Sequence, residues 1–360
     1  MIKVLELFAG IGACSKALER IGIEHEIVDA VEIDKYAIKS FNAIHGTEFD
    51  VQDITKWDKD VEVDLIMHGS PCQDFSVAGK QAGGDIGSGT RSSLMYETIR
   101  IVGKLRPKYV IWENVKNLLS KKHRHNFDAY IETMNILGYN SYYQVLNAKD
   151  YGIPQNRERV FTISIRRDID DGNFIFPEKE TLELRLKDML ENEVDEKYYL
   201  TKTNNIVFND NRVSWDNSGK GYNSQQDRAY YQDDLCPALS CCNSNGDKAQ
   251  VVLEDKEIIL KRIGGMYGQT TRWGVYDDTG LAPTLVAAMG EGGGYVPMVE
   301  NSIRIRKLTP KECWRLMGFD DEDFEKAEKV NSNTQLYKQA GNSIVVNVLE
   351  KILSNLLKGE

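Results

Sequence analysis

Three stretches bring together side chains that do chemistry. In HGSPCQDFSVAGKQAGG, residues 68–84, Cys72 follows a proline at the end of an apolar run, and a loop rich in Gly, Ser and Gln follows it. A thiol there is either a small buried hydrophobe, as most free cysteines are, or a nucleophile. In VIWENV, residues 110–115, Glu113 sits at the carboxyl end of an apolar strand. An acid placed after Val-Ile-Trp is partly desolvated and keeps its proton nearer neutrality than in water. A strand-end Glu also serves as a helix cap, and Asn114 competes for that role. In YGIPQNRERVF, residues 151–161, Arg157 and Arg159 alternate with period two. On an extended segment they share a face and form a fork for a carbonyl, carboxylate or phosphate; the other reading is an ion-pair strand with Glu158.

A fourth stretch looks like a ligand loop rather than a reaction centre. ELFAGIGA, residues 6–13, runs from a strand through Gly10 and Gly12 into a helix. Glycines let the backbone approach a ligand closely, and a helix start offers free N–H groups. Glu32 ends the next strand about 20 residues on, where an acid can bind ribose hydroxyls. Asp53 can accept from an adenine amino group. The third glycine of the dinucleotide fingerprint is missing, so a nucleoside cofactor without pyrophosphate is expected.

These residues need a sheet to hold them. Val4–Leu7, Glu26–Val31, Asp64–Met67, Tyr109–Trp112 and Val160–Ile165 read as strands. Between them, Ala13–Ile21, Lys35–His45, Ser92–Leu105 and Phe127–Leu137 carry apolar residues at helical spacing. Such alternation predicts an α/β domain with a parallel sheet covered on both faces. After about Phe176 the chain turns rich in Asn, Gly, Ser and Asp, and a smaller, loop- and β-rich domain is expected over 176–327. A closing helix, Ser343–Leu357, matches the first domain, with Gly341-Asn342-Ser343 read as its N-cap. The expected division is therefore 1–175 completed by 328–360, against 176–327. Within the smaller domain DDLCPALSCCNSNG (233–246) and TGLAPTLVAAMGEG (279–292) align without gaps, which reads as a duplicated β-unit or as two chance Pro-Leu turns.

Composition narrows the class. At 360 residues the chain is long enough for two domains. No apolar run approaches the ~18 residues of a membrane span. Six cysteines (14, 72, 236, 241, 242, 313) contain no Cys-x-x-Cys pair, which predicts reduced thiols in a cytoplasm and no metal site. The net charge of −10 argues against a nucleic-acid partner only weakly, since a cleft can be basic under an acidic surface.

Taken in order, FAGIGA, VEIDKYA, QDIT, GSPCQDFS, WENV, QNRERVF, RKLTPKECWRLMGF and QAGNSIVVNVLEKI resemble the blocks of the DNA (cytosine-5) methyltransferases. They cover most of 1–167 and 303–356; residues 176–302 are only loosely similar, mainly through APTLVAA. The resemblance implies a Rossmann-like S-adenosylmethionine-dependent methyltransferase sheet with helices on both faces, plus a target-recognition domain. It implies Cys72 as the nucleophile at cytosine C6, Glu113 on N3 and the exocyclic amine, and Arg159 on O2, with Arg157 nearby. It implies a cofactor pocket of Phe8, Gly10, Ile11, Gly12, Glu32, Ile33, Asp53, Ile54, Pro71, Asn342 and Ser343. It also implies DNA contacts at Gln73, Ser76, Thr284 and Leu285. The expected partner is double-stranded DNA with a flipped-out target cytosine, joined in a restriction-modification system by an endonuclease for the same site. A cytoplasmic monomer is expected. One branch of the family modifies tRNA; the ~125 residues of recognition segment suit DNA better.

Overall fold

The structure, a computed structural model, describes residues 1–71, 90–198 and 307–358 and, between 206 and 307, the backbone of short strands. Cys72, Gln73, Ser76, Thr284 and Leu285 lie outside the described residues. The chain divides into two compact units, one of 1–191, 233–249 and 309–360, the other of 192–232 and 250–308.

In the first unit, β1 (Ile2–Leu7), α1 (Ala13–Arg20), β2 (His25–Val31), α2 (Lys35–His45) and β3 (Leu65–His68) alternate as the apolar spacing requires. α3 (Met95–Leu105), β4 (Tyr109–Val115) and α4 (Arg124–Ile136) continue the pattern. Then come β5 (Tyr139–Asn147), the two-residue β6 (Gln155–Asn156) and β7 (Glu158–Arg166). The sheet order is β2-β1-β3-β4-β7-β5. Side chains at alternate positions, Leu5 with Leu7 and Val110 with Trp112, pack with Ile99, Val102, Phe127 and Tyr130 of α3 and α4 in one core.

The sheet is mixed, not parallel throughout: β7 runs antiparallel to both β4 and β5. The connection from β5 to β7 contains no crossover α-helix, and a parallel return would need one. β5 also escapes the sequence pattern, because several of its side chains are half-buried or exposed and its apolar alternation is faint.

The chain closes with α5 (Pro310–Arg315), α6 (Asp321–Glu328), α7 (Asn333–Asn342) and α8 (Val346–Leu356). Thr309 and Glu312 form a reciprocal capping box at α5, which fixes where the helix starts. α8 starts three residues later than expected, at Val346 with no side-chain cap. Asn342 instead ends α7, and Ser343 is extended. Segment 309–327 belongs to the first unit rather than the second. The reason is packing: α5 lies on α7, α6 lies on α2, and the buried Lys16 of α1 pairs with Asp320 and Asp323 at 3.0 and 3.1 Å. Segment 233–249 joins it too, through parallel pairing of Cys236–Pro237 with β6.

The second unit holds a five-stranded sheet, in the order 304–307, 251–254, 228–231, 212–215 and 206–209, and a three-stranded sheet of 262–265, 274–277 and 298–300. Among the described residues no helix is long and apolar enough to cross a membrane, and no cluster of His, Cys, Asp and Glu could hold a metal.

Candidate active site

The carboxyl ends of β3 and β4 lie side by side, with His68 opposite Trp112. Side chains on β4 alternate faces, so Trp112 and Asn114 share one and Glu113 takes the other. Trp112 Nε1 donates to Ser70 Oγ at 3.0 Å, and Asn114 Nδ2 donates to the Ser70 carbonyl at 3.2 Å. The strand end thereby holds the Gly69-Ser70-Pro71 turn. A Cβ built on Gly69 would stand 3.8 Å from Glu113 Oε2, so the carboxyl lies against the segment that runs into Cys72.

Glu113 is buried, 8% exposed. Burial pushes its pKa up, and the guanidiniums of Arg159 and Arg157 pull it part of the way back. Arg159 Nε lies 3.0 Å from Glu113 Oε1, as an ion pair. The geometry is off-line, and Oε1 has no hydrogen-bond partner among the described residues. A buried carboxyl oxygen without a hydrogen bond is costly unless a ligand completes it.

The two arginines do different work. Arg159 faces Glu113 and donates to the Glu158 carbonyl at 2.8 Å. Arg157 is buried and donates to the main-chain carbonyls of Gly341 and Ser343, at 3.2 and 2.8 Å. The expected fork is thus one arginine at the acid and one clamp on the end of α7. Glu158, the other partner considered for them, pairs with Lys116 instead.

The glycine loop after β1 has a closed side and an open side. Gly12 has φ +82°, and a Cβ there would collide with His45 and Phe41. Burial holds His45 down to about 4, so the neutral ring donates through Nε2 to the Ile11 carbonyl at 3.2 Å. Gly10, at φ +57°, would meet nothing within 4 Å. Phe8 also adopts a left-handed φ of 53°, uncommon for a side chain of its size. Glu32 bridges the loop: its carboxylate accepts from Gly10 N at 3.0 Å and from Asp34 N at 2.8 Å. Asp53 caps a 3-10 turn through Thr55, at 3.0 Å to its N–H. Ile33 is exposed, at 69%, whereas Ile11 and Ile54 are buried. Asn342 is exposed and Ser343 buried at the Arg157 clamp.

Sequence reasoning missed the support beneath the acid. His68 is fully buried, stacks on Trp112 with ring centroids 5.8 Å apart, and contacts Tyr130 Oη at 3.1 Å. Burial drives its pKa down to about 3, so it is neutral. Ser92 Oγ donates to the Pro71 carbonyl at 2.9 Å. Only the position of His68 and Ser70 beside the Pro-Cys step hinted at either.

A family model described as C-5 cytosine-specific DNA methylase matches residues 2–358. The orphan methyltransferase M.SPRI of Bacillus phage SPR is 34% identical, over 99% of this chain and 97% of its own. The type II methyltransferase M2.ScrFI of Lactococcus lactis subsp. cremoris is 34% identical over 100% of both chains. Among solved structures, the Entamoeba histolytica methyltransferase EhMeth superposes with a TM-score of 0.68 over 99% of this chain and 98% of that one. Its 17% identity speaks for the fold alone. With a family match across nearly its whole length, this chain belongs to the C-5 cytosine-specific DNA methylases.

Proposed function

We propose that this C-5 cytosine DNA methyltransferase works through Cys72, Glu113 and Arg159. The observation that carries the reading is Glu113: buried, its pKa raised by that burial, beside Arg159, with Oε1 lacking a hydrogen bond among the described residues. C6 of cytosine is a poor electrophile, and C5 attacks a methyl donor too weakly unaided. The Cys72 thiolate adds to C6, and Glu113 hydrogen-bonds N3 and the exocyclic amine as charge develops there. Arg159 holds O2. C5 would then take the methyl group as the donor's S–CH3 bond breaks and its thioether leaves; the C5 proton would pass to a base as the C6–S bond breaks, returning the thiolate. Arg157, spent on two carbonyls, is a positioning residue here.

The family implies S-adenosylmethionine. The open side of Gly10, the carboxylates of Glu32 and Asp53 and the apolar Phe8 and exposed Ile33 suit a nucleoside without phosphate. Ile11, Gly12, Ile54, Pro71, Asn342 and Ser343 complete the proposed pocket. When bound, the cofactor supplies an electrophilic methyl group. Target reading is assigned to the second unit, 192–232 and 250–308, with Gln73, Ser76, Thr284 and Leu285 as DNA contacts. The protein acts on duplex DNA as a cytoplasmic monomer, and a companion endonuclease belongs to the type II setting only. The tRNA reading recedes, since the relatives that match across the whole chain carry type II and orphan methyltransferase names.

DNA carrying 5-fluorocytosine tests this, because fluorine does not leave as the proton does. With S-adenosylmethionine present the protein should be trapped covalently, and Cys72→Ala should trap nothing. A stable adduct on the alanine variant sinks the assignment. Bisulfite sequencing of DNA from expressing cells gives the modified base and its context.

A further inference from the structure

Pro71 is the last described residue before Cys72, and its backbone is unusually constrained. Its ring fixes φ near about −65° and removes the amide hydrogen, so its carbonyl is its only main-chain hydrogen-bonding group. That carbonyl accepts from the buried Ser92 Oγ at 2.9 Å, across 21 positions of sequence. The ring and the hydrogen bond together restrict the backbone of the residue that hands the chain to Cys72. One residue earlier, Ser70 is gripped by Trp112 and Asn114, the neighbours of Glu113 on β4. The entry to the thiol is thus referenced on one side to the strand that carries the acid and on the other to Ser92.

We infer that Ser92 is a positioning residue for the methyl transfer. It lies in the 3-10 turn Arg91–Leu94 that leads into α3. Its hydroxyl aims the peptide unit between Pro71 and Cys72, and so sets the reach of the thiol relative to Glu113. The glycine loop after β1 and the arginine clamp are held by other hydrogen bonds. The inference rests on Cys72 being the nucleophile, as proposed above.

A misplacement of about 1 Å in a reacting group can cost on the order of 100-fold in rate. The experiment follows the rate of covalent adduct formation between the full-length protein and duplex DNA carrying 5-fluorocytosine, with S-adenosylmethionine present. Ser92→Ala should slow that rate ~10–100-fold even at saturating S-adenosylmethionine, with the cooperative unfolding transition retained. Ser92→Thr, which keeps the hydroxyl, should restore it. A loss of rate that disappears at saturating S-adenosylmethionine marks an effect on the cofactor through Pro71, and that pattern overturns the inference. So does wild-type trapping by Ser92→Ala, or a threonine variant as slow as the alanine. If the alanine variant does not fold, Ser92→Cys reads the same rate through a weaker donor, with the adduct mapped to Cys72 by mass. A slower rate supports the role and an unchanged one defeats it. Wild-type protein that traps no DNA would instead defeat the reading of Cys72 itself.

Discussion

Glu113 shows how much a residue's chemistry owes to where it is put. An acid after Val-Ile-Trp is readable in the chain, and burial raises its pKa as that position suggests. Glu113→Gln keeps a donor but has no proton to give. General acid–base groups contribute typically 10²–10⁴-fold, so turnover should fall by about that factor with cofactor affinity retained, measured by methyl transfer and calorimetry. A glutamine variant with wild-type turnover would leave Glu113 a cap. The split between the arginines was not readable. Period two places Arg157 and Arg159 alike, but the partners of Arg157 are carbonyls 184 and 186 positions away. No local pattern encodes a partner at that distance, and the same holds for Ser92 and Pro71.

Between elements, the clearest coupling is Glu6, in the last turnings of β1, to the start of α1. Its buried carboxyl accepts from Ser15 N at 3.0 Å and from the Ser15 hydroxyl. Burial raises its pKa to about 7, from 4.5. A raised pKa means stability present in full below about 4.5 and lost as pH climbs to about 7, where the carboxyl ionises in the folded state. Glu6→Gln retains the acceptor without that loss. Its denaturant stability should therefore gain on wild type between these values, reach roughly 3 kcal/mol and stay flat above. A constant difference across pH 4.5–8 would remove Glu6 as the titrating group. At this scale the chain is legible where apolar spacing is strong: α2 runs Lys35–His45 as expected. It is not legible where spacing is faint, as in β5, or where an adjoining helix ends on the supposed cap, as Asn342 does for α8.

The molecule as a whole is closed by its last helix. α8 buries Val346, Val348, Leu349, Ile352, Leu353 and Leu356 and packs on α1. Six such side chains represent on the order of 10 kcal/mol, comparable with the net stability of a domain, ~5–15 kcal/mol. A chain ending at Gln339 should consequently lose its cooperative unfolding transition in calorimetry, and cofactor binding with it. A truncated protein that melts cooperatively would show that the closing helix is an accessory. The Arg157 clamp has a consequence for how the protein is made. Strand β7 precedes the second unit in the chain, and Gly341 and Ser343 follow it. A chain that stops within the second unit has β4 and β7, but its Arg157 lacks the carbonyls of Gly341 and Ser343. The clamp thus ties the end of β6 to the end of α7 across everything the chain inserts between them, so this part of the first unit is completed only by residues that follow the second.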